Sequence, residues 1–222
     1  MASTSSARTP AAEPAAAPAK SEPTAAKTGF LSFSVPKNTF RFDAVQDYTI
    51  VGDLSRVGFD AKSTLHDFTG ATSQVRGTFR ADFDDPAGAW SGDVVVQAAS
   101  LVTGVDGRDE NLREHLDVKN HAELRFAVER FVPAASGIDA EKQTARGEVV
   151  GTMTIRGQSK PFRMPVTVAV DPQKRVVLNG QVPLKLSDYG VPVPSQLGLI
   201  NMQDEVTVWI ALRARVATGG QK

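Results

Sequence analysis

The 222-residue sequence contains no cysteine, which excludes disulfides, thiolate metal sites, a cysteine nucleophile and a lipid attached through sulfur. Stability has to come from packing. The compartment stays open, because exported proteins without disulfides are common and cytosolic ones need none. Net charge is missing as well: 25 Lys plus Arg balance 25 Asp plus Glu, so no bulk field favours nucleic acid or an anionic membrane. No nucleic-acid partner is expected. Histidine is scarce: His66, His115 and His121 are the only imidazoles, and the spacing of His115 and His121, six residues apart, does not put them on one helical face. No metal partner is expected from that set. There is no Gly-rich phosphate loop, no Gly-x-Ser-x-Gly elbow and no metalloprotease pairing of His and Glu, so the motifs support neither a cofactor nor catalysis.

Long apolar runs are absent too. A secretory signal needs roughly seven to fifteen apolar residues, and the stretch 11–19 is interrupted by Glu13, Pro14 and Pro18. Neither a signal peptide nor a transmembrane span is visible. Residues 1–28 are mostly Ala, Pro, Ser and Thr, with no aromatic or branched aliphatic side chain to bury. Such a segment cannot offset the entropy of ordering and reads as a flexible leader or tether. An Ala/Pro-rich tether is what often follows an export signal, so a periplasmic or otherwise exported location is the expectation and a cytoplasmic one the alternative.

What is present is alternation. From Ser55 to Ala214 the chain reads as consecutive strands broken by one short helical segment that carries Arg108, Asp109, Glu110, Leu112, Arg113 and Leu116. Val176, Leu178, Gly180, Val182, Leu184 and Leu186 recur at every second position, a period that puts them on one face of a strand. Phe59, Phe79, Phe126, Val128, Met153, Phe162, Met164 and Leu178 fall on the same kind of inward face. Folding is expected to start near Phe40. Turns are expected at Asp67–Gly70, Asp84–Gly88, Arg156–Ser159 and Asp171–Lys174, and loops at Pro133–Lys142 and Ser187–Gln203. Pro165 has no N–H and suits an edge or bulge better than a central ladder position. Asp106 or Gly107 is placed to cap the helix, whose Leu112 and Leu116 share a face. Strands, one helix and more strands, without alternating helices, predict an all-β antiparallel fold, and a long meander with one apolar face can close into a barrel.

At the helix and its flanks the sequence resembles the YceI-like family of lipocalin-like, polyisoprenoid-binding proteins, from about Tyr48 to Val216. The resemblance rests on Ser55-Arg56-Val57-Gly58-Phe59 with Leu65-His66-Asp67-Phe68-Thr69-Gly70, and on Leu101-Val102-Thr103-Gly104 followed by Arg108-Asp109-Glu110-Asn111-Leu112. It continues through Gly151-Thr152-Met153-Thr154-Ile155-Arg156-Gly157-Gln158-Ser159-Lys160-Pro161 and Ser187-Asp188-Tyr189-Gly190. It implies a lipocalin-like antiparallel barrel of about eight strands over residues 29–218, with one short helix near the barrel mouth. It also implies an apolar tunnel for a polyisoprenoid, an isoprenoid quinone or another long-chain lipid.

On that reading the inward residues named above line the tunnel, Leu112 and Leu116 close it, and the apolar loop residues Tyr189, Leu197, Leu199, Ile200 and Met202 cap it. A dry core and a satellite cluster on the wall are the plain alternatives for the same residues. Arg108, Asp109 and Glu110 form the densest charged group beside the opening and are expected to tie the helix to the preceding loop. The function expected is non-catalytic carriage or sequestration of the lipid. The rivals are an enzyme acting on a small amphiphile at the mouth and a ligand-free structural domain. The sequence allows a homodimer.

Overall fold

The computed structural model describes residues 45–82, 90–139, 141–193, 195–196 and 200–217. The expectations for the 1–28 tether, for a start near Phe40 and for the Asp84–Gly88 turn lie outside them. The described strands are β1 Gln46–Ile50, β2 Arg56–Ser63, β3 Phe68–Thr72, β4 Val75–Ala81, β5 Ser91–Gln97, β6 Glu123–Asp139, β7 Thr144–Ile155, β8 Gln158–Val170, β9 Val176–Lys185, β10 Ser195–Gln196 and β11 Ile200–Val216, with one helix, α1, at Asp106–His115.

Every pairing is antiparallel, and the sheet closes because β11 returns to pair both β9 and β1. β1 and β2 are two halves of one bent strand: β1 pairs the end of β11 and β2 pairs its earlier part. β3 and β4 divide in the same way, β3 on β2 and β4 on β1. Counted so, the barrel has eight strands.

The bend between β1 and β2 exposes polar backbone inside the wall, and Ser55 supplies the missing partners. Its hydroxyl donates to the Val51 carbonyl at 2.8 Å and accepts from the Arg213 N–H at 2.9 Å. That explains a serine buried to 1% exposure. The β7–β8 hairpin turns through Arg156 and Gly157, both at positive φ (51° and 73°). Two positive φ values give the tight turn whose twist matches antiparallel strands. A Cβ on Gly157 would also lie 2.7 Å from the His121 ring, so the position needs glycine twice over.

The alternation of β8 and β9 is as the sequence suggests. Met164, Val166 and Val168 are buried between more exposed neighbours, as are Val176, Leu178 and Leu184. Three segments differ from expectation. Asp67–Gly70 is not a turn: Phe68 opens β3, because its ring packs edge-on against Phe59 across the pair at 6.2 Å. Gly70 is bare because Phe59 covers it, and a Cβ there would lie 2.4 Å from that ring. Pro133–Lys142 is mostly strand, with a register shift between Pro133 and Ile138 that hides the alternation. The final strand starts at Ile200 rather than Val206, again because a register shift between Met202 and Val206 breaks the period of two.

The interior divides into two clusters. One is packed around aromatic pairs: Trp90 stacks on Phe131 at 5.1 Å and Tyr48 on Phe79 at 5.0 Å. The other gathers Leu101, Leu116, Ile155, Leu184, Tyr189, Val191 and Val206 at the end covered by α1. Leu124, Phe162 and Val208 touch both and form the partition.

Candidate functional site

The α1 end, the mouth, is held open by two places where neighbouring strands part. The β8–β9 ladder stops at Val166 and Gly180, one residue short of Pro165, which has no N–H to continue it. Beyond that point β8 pairs only with β7, and β9 only with β11. The Ser187–Tyr189 turn fills the gap and buries Tyr189 to 3% exposure. Burial, together with the nearby Asp188 charge, pushes the Tyr189 hydroxyl pKa up. Asp204 pins this turn to β11 by accepting from the Ser187 N–H at 2.8 Å and hydroxyl at 2.6 Å. Those bonds hold its carboxyl below the usual carboxylate range. On the opposite side β3 does not pair with β5. A single bridge from Ala71 to Val102 spans that gap and leads the chain into α1.

The helix is mostly polar, so burial of an apolar stripe alone does not hold it in place. Neither Asp106 nor Gly107 caps it: the cap position is Val105, without a side-chain bond. The tie runs from inside the first turn. Asp109, 5% exposed, accepts from the Thr103 backbone N–H at 2.6 Å and from the Thr103 hydroxyl. Burial raises the Asp109 pKa, but the Thr103 bonds and the Arg113 charge outweigh it, and the carboxyl sits below its ordinary value. A carboxylate in the first turn also suits the helix dipole. Arg108 Nε donates to the same Thr103 hydroxyl at 2.8 Å, and its guanidinium carbon lies 4.4 Å above the Phe68 ring. Arg108 and Asp109 thus join helix to loop through Thr103.

Between this helix and the barrel lies a cavity of about 460 Å³. Phe59, Leu124, Ile155, Leu184, Val206 and Val208 form its barrel wall, and Leu112 and Leu116 form its roof. Leu186, Val191 and Pro192 close the side where β8 and β9 part, and Leu65, Phe68, Leu101 and Met202 complete the apolar surface. The polar residues, Ser63, His66, Arg108, Asn111 and His115, come from α1 and the turn after β2. A larger hollow of about 890 Å³ lies on the outer wall beside Trp209, Pro133 and Pro165, but it is a more open groove. A concave, largely apolar cavity with a few convergent polar groups is the usual form of a ligand site, so the mouth is the candidate.

The sequence-predicted tunnel residues separate into groups. Phe59, Leu112 and Leu116 border the cavity. Met153 and Tyr189 belong to the mouth cluster without lining it, and Phe162 stands in the partition. Phe79, Val128, Met164 and Leu178 lie in the aromatic-packed cluster, with Phe126 against it and edge-on to Phe162 at 6.0 Å. Leu197 and Leu199 lie outside the described residues, and Ile200 is the first residue of β11. Leu101, Leu184, Val206 and Val208 were missed as lining residues; each sits on an inward alternating face or a strand end, which marks it as core but not as cavity. Among the described residues no group of three or more His, Asp or Glu is placed to hold a metal ion. No helix among them is long and apolar enough to cross a membrane.

The family model for the YceI-like domain matches residues 35–214, most of the chain and every element around the mouth. The chain belongs to the YceI-like family. Among solved structures, BcnA from Burkholderia cenocepacia is similar at a TM-score of 0.61 and 22% identity, over 74% of this chain and 98% of that one. A polyisoprenoid-binding domain from Saccharophagus degradans, described as implicated in plant cell wall breakdown, is similar at a TM-score of 0.61 and 16% identity, over 76% of this chain and 98% of that one. At such identities the likeness is one of fold. No curated protein matches the chain. With these relatives the YceI-like barrel is a closed antiparallel one, with its helix over the mouth.

Proposed function

We propose that this YceI-like protein binds and carries a single-chain apolar lipid of the isoprenoid class, as a binding protein rather than an enzyme. The observation that carries the reading is the partly enclosed, largely apolar cavity of about 460 Å³ beneath α1. The fold it shares with a polyisoprenoid-binding domain supports the class of ligand. At about 30 Å³ per water-sized group the space suits one chain of roughly fifteen heavy atoms, not two. At about 0.8 kcal/mol per buried methylene, such a chain gains roughly 12 kcal/mol. The cost of immobilisation, about 4 kcal/mol or more, leaves at most about 8 kcal/mol, an affinity in the micromolar range or weaker. A hollow this apolar is costly to keep empty of contacts, since its walls lack partners on one side.

Native mass spectrometry of the purified protein, followed by solvent extraction, tests the reading. A bound lipid, recovered chemically unchanged after incubation, is expected. Val208→Phe, which fills the cavity from the wall, should lower lipid content about tenfold with stability changed by no more than about 1–2 kcal/mol. A protein that neither retains nor takes up an apolar chain is a structural domain, and turnover of the extracted lipid would make it an enzyme.

A further inference from the structure

We infer that the mouth is built for an anionic head, a carboxylate or a phosphate monoester, on the chain that the cavity holds, and that Arg108 is the residue that receives it. The inference rests on the carrier reading and adds the chemistry of the ligand's polar end.

Its first support is charge asymmetry. The whole chain is electrically balanced, yet the residues bordering the cavity include one arginine and two histidines and no Asp or Glu. An anion entering there meets no carboxylate in the cavity wall itself, although Asp106 and Asp109 stand in the first turn of α1 beside it and offset part of the positive field.

The second support is the state of Arg108 itself. Among the described residues Arg76, Arg80, Arg125, Arg163 and Arg175 each pair with a carboxylate, whereas Arg56, Arg113, Arg130, Arg146, Arg156, Arg213 and Arg215 do not. Arg108 has none within ion-pair distance among them either, although Asp109 is its neighbour in sequence; what sets it apart is that it borders the cavity and is held in place there. The reason is geometric: Asp109 is turned away and occupied by Thr103. The guanidinium is nevertheless held in place, by Nε to the Thr103 hydroxyl at 2.8 Å, by a long bond from Nη2 to the Thr103 carbonyl at 3.4 Å, and by the Phe68 ring beneath it. Those bonds use Nε and part of Nη2, and Nη1 has no partner among the described residues. A planar fork, fixed on one side and free on the other, suits an oxyanion.

The third support is position. Arg108 and Gly107 lie in the first turn of α1 and both border the cavity, so the positive end of the helix dipole adds to the guanidinium charge. Asn111 and His115 follow along the same helix at the same rim. His115 Nδ1 donates to the Asn111 carbonyl at 2.8 Å, so Nε2 of the neutral ring is an acceptor and donates to an anion only when the ring is protonated. The apolar floor lies below and the donors lie above, the arrangement an amphiphile with an anionic head would need.

The test uses the full chain stripped of lipid and three probes: farnesyl phosphate, farnesol and inorganic phosphate. Farnesyl phosphate should bind about tenfold or more tightly than farnesol. Arg108→Gln should shrink that ratio to about threefold or less, the farnesol affinity of the same variant serving as the reference for any loosening of the Thr103 tie. Arg108→Lys, which keeps the charge but not the fork, should fall between. It also serves as the second variant if Arg108→Gln does not fold. Inorganic phosphate at millimolar concentration should neither bind nor compete, because the chain carries most of the affinity. Equal binding of farnesyl phosphate and farnesol, or a preference that survives Arg108→Gln, overturns the inference while leaving the carrier reading intact. Competition by inorganic phosphate overturns the assignment to a lipid head. Binding of neither farnesyl probe overturns the carrier reading and this inference with it.

Discussion

At the packed end of the barrel Trp90 lies on Phe131 and Tyr48 on Phe79, and Phe131 is completely buried. At the mouth Leu101, Leu184 and Val206 are buried almost as fully, yet they border a cavity of about 460 Å³. Both ends obey the same inward alternation. They differ in the size of the inward side chains and in how the strands are joined. The packed end has four large rings and, between β8 and β9, an unbroken ladder from Val166 to Val170. The mouth has mainly aliphatic residues, and its walls part on either side of α1. An inward face therefore predicts burial, and whether it is solid or hollow depends on what faces it.

Breaking the packed end should have the largest effect. Phe131→Ala removes a fully buried ring that Trp90 stacks on, and a loss of about 3–5 kcal/mol is expected in urea unfolding. Lipid retained per folded molecule should not change, because Phe131 does not border the cavity. Phe162→Ala acts on the partition. Its half-buried ring makes the stability cost smaller, about 2–3 kcal/mol, while the space freed beside Phe126 should let the protein retain longer chains. Extracted lipids of unchanged length would mean that the partition does not limit the ligand.

The helix tie comes next. Asp109→Ala strands the Thr103 donors at a cost of about 1–3 kcal/mol, seen chiefly as faster hydrogen exchange in α1 rather than in β8 and β9. The same tie has a pH signature. The folded carboxyl titrates below its unfolded value, so its contribution is complete above about pH 4 and is lost as pH falls through the folded value. Protection of the α1 amides, with exchange corrected for its intrinsic pH dependence, should thus fall below about pH 4 and stay flat from neutral pH down to there, and the Asp109→Ala protein should lack the transition. Leu112→Ala should be the mildest, about 1 kcal/mol or less, because the side chain already faces a void. Its effect belongs in the rate of lipid exchange, which should rise as the roof thins.

Much of the architecture could be read from residues in order. Val176 to Leu184 and Phe162 to Val168 alternate cleanly, and their burial follows. The Arg156-Gly157 turn, the helix at Asp106–His115 and the order of motifs that marks the family were legible because each depends on neighbours in the chain. Where the register shifts along a ladder, as between Met202 and Val206 and between Pro133 and Ile138, alternation fails and a strand reads as a loop.

The sequence by itself determined an antiparallel barrel with one apolar interior, since a period of two and local turn chemistry need no distant partner. Only the tertiary structure decided which part of that interior is hollow. Met164 and Leu184 look alike in sequence, and their difference comes from Pro165 ending one ladder, from Tyr189 filling the resulting gap, and from α1 resting across the opening. The same holds for charge. That Arg108 stands without a carboxylate beside its own neighbour Asp109 follows from Thr103 claiming that carboxylate, a contact set by how the loop folds back rather than by the spacing of the three residues.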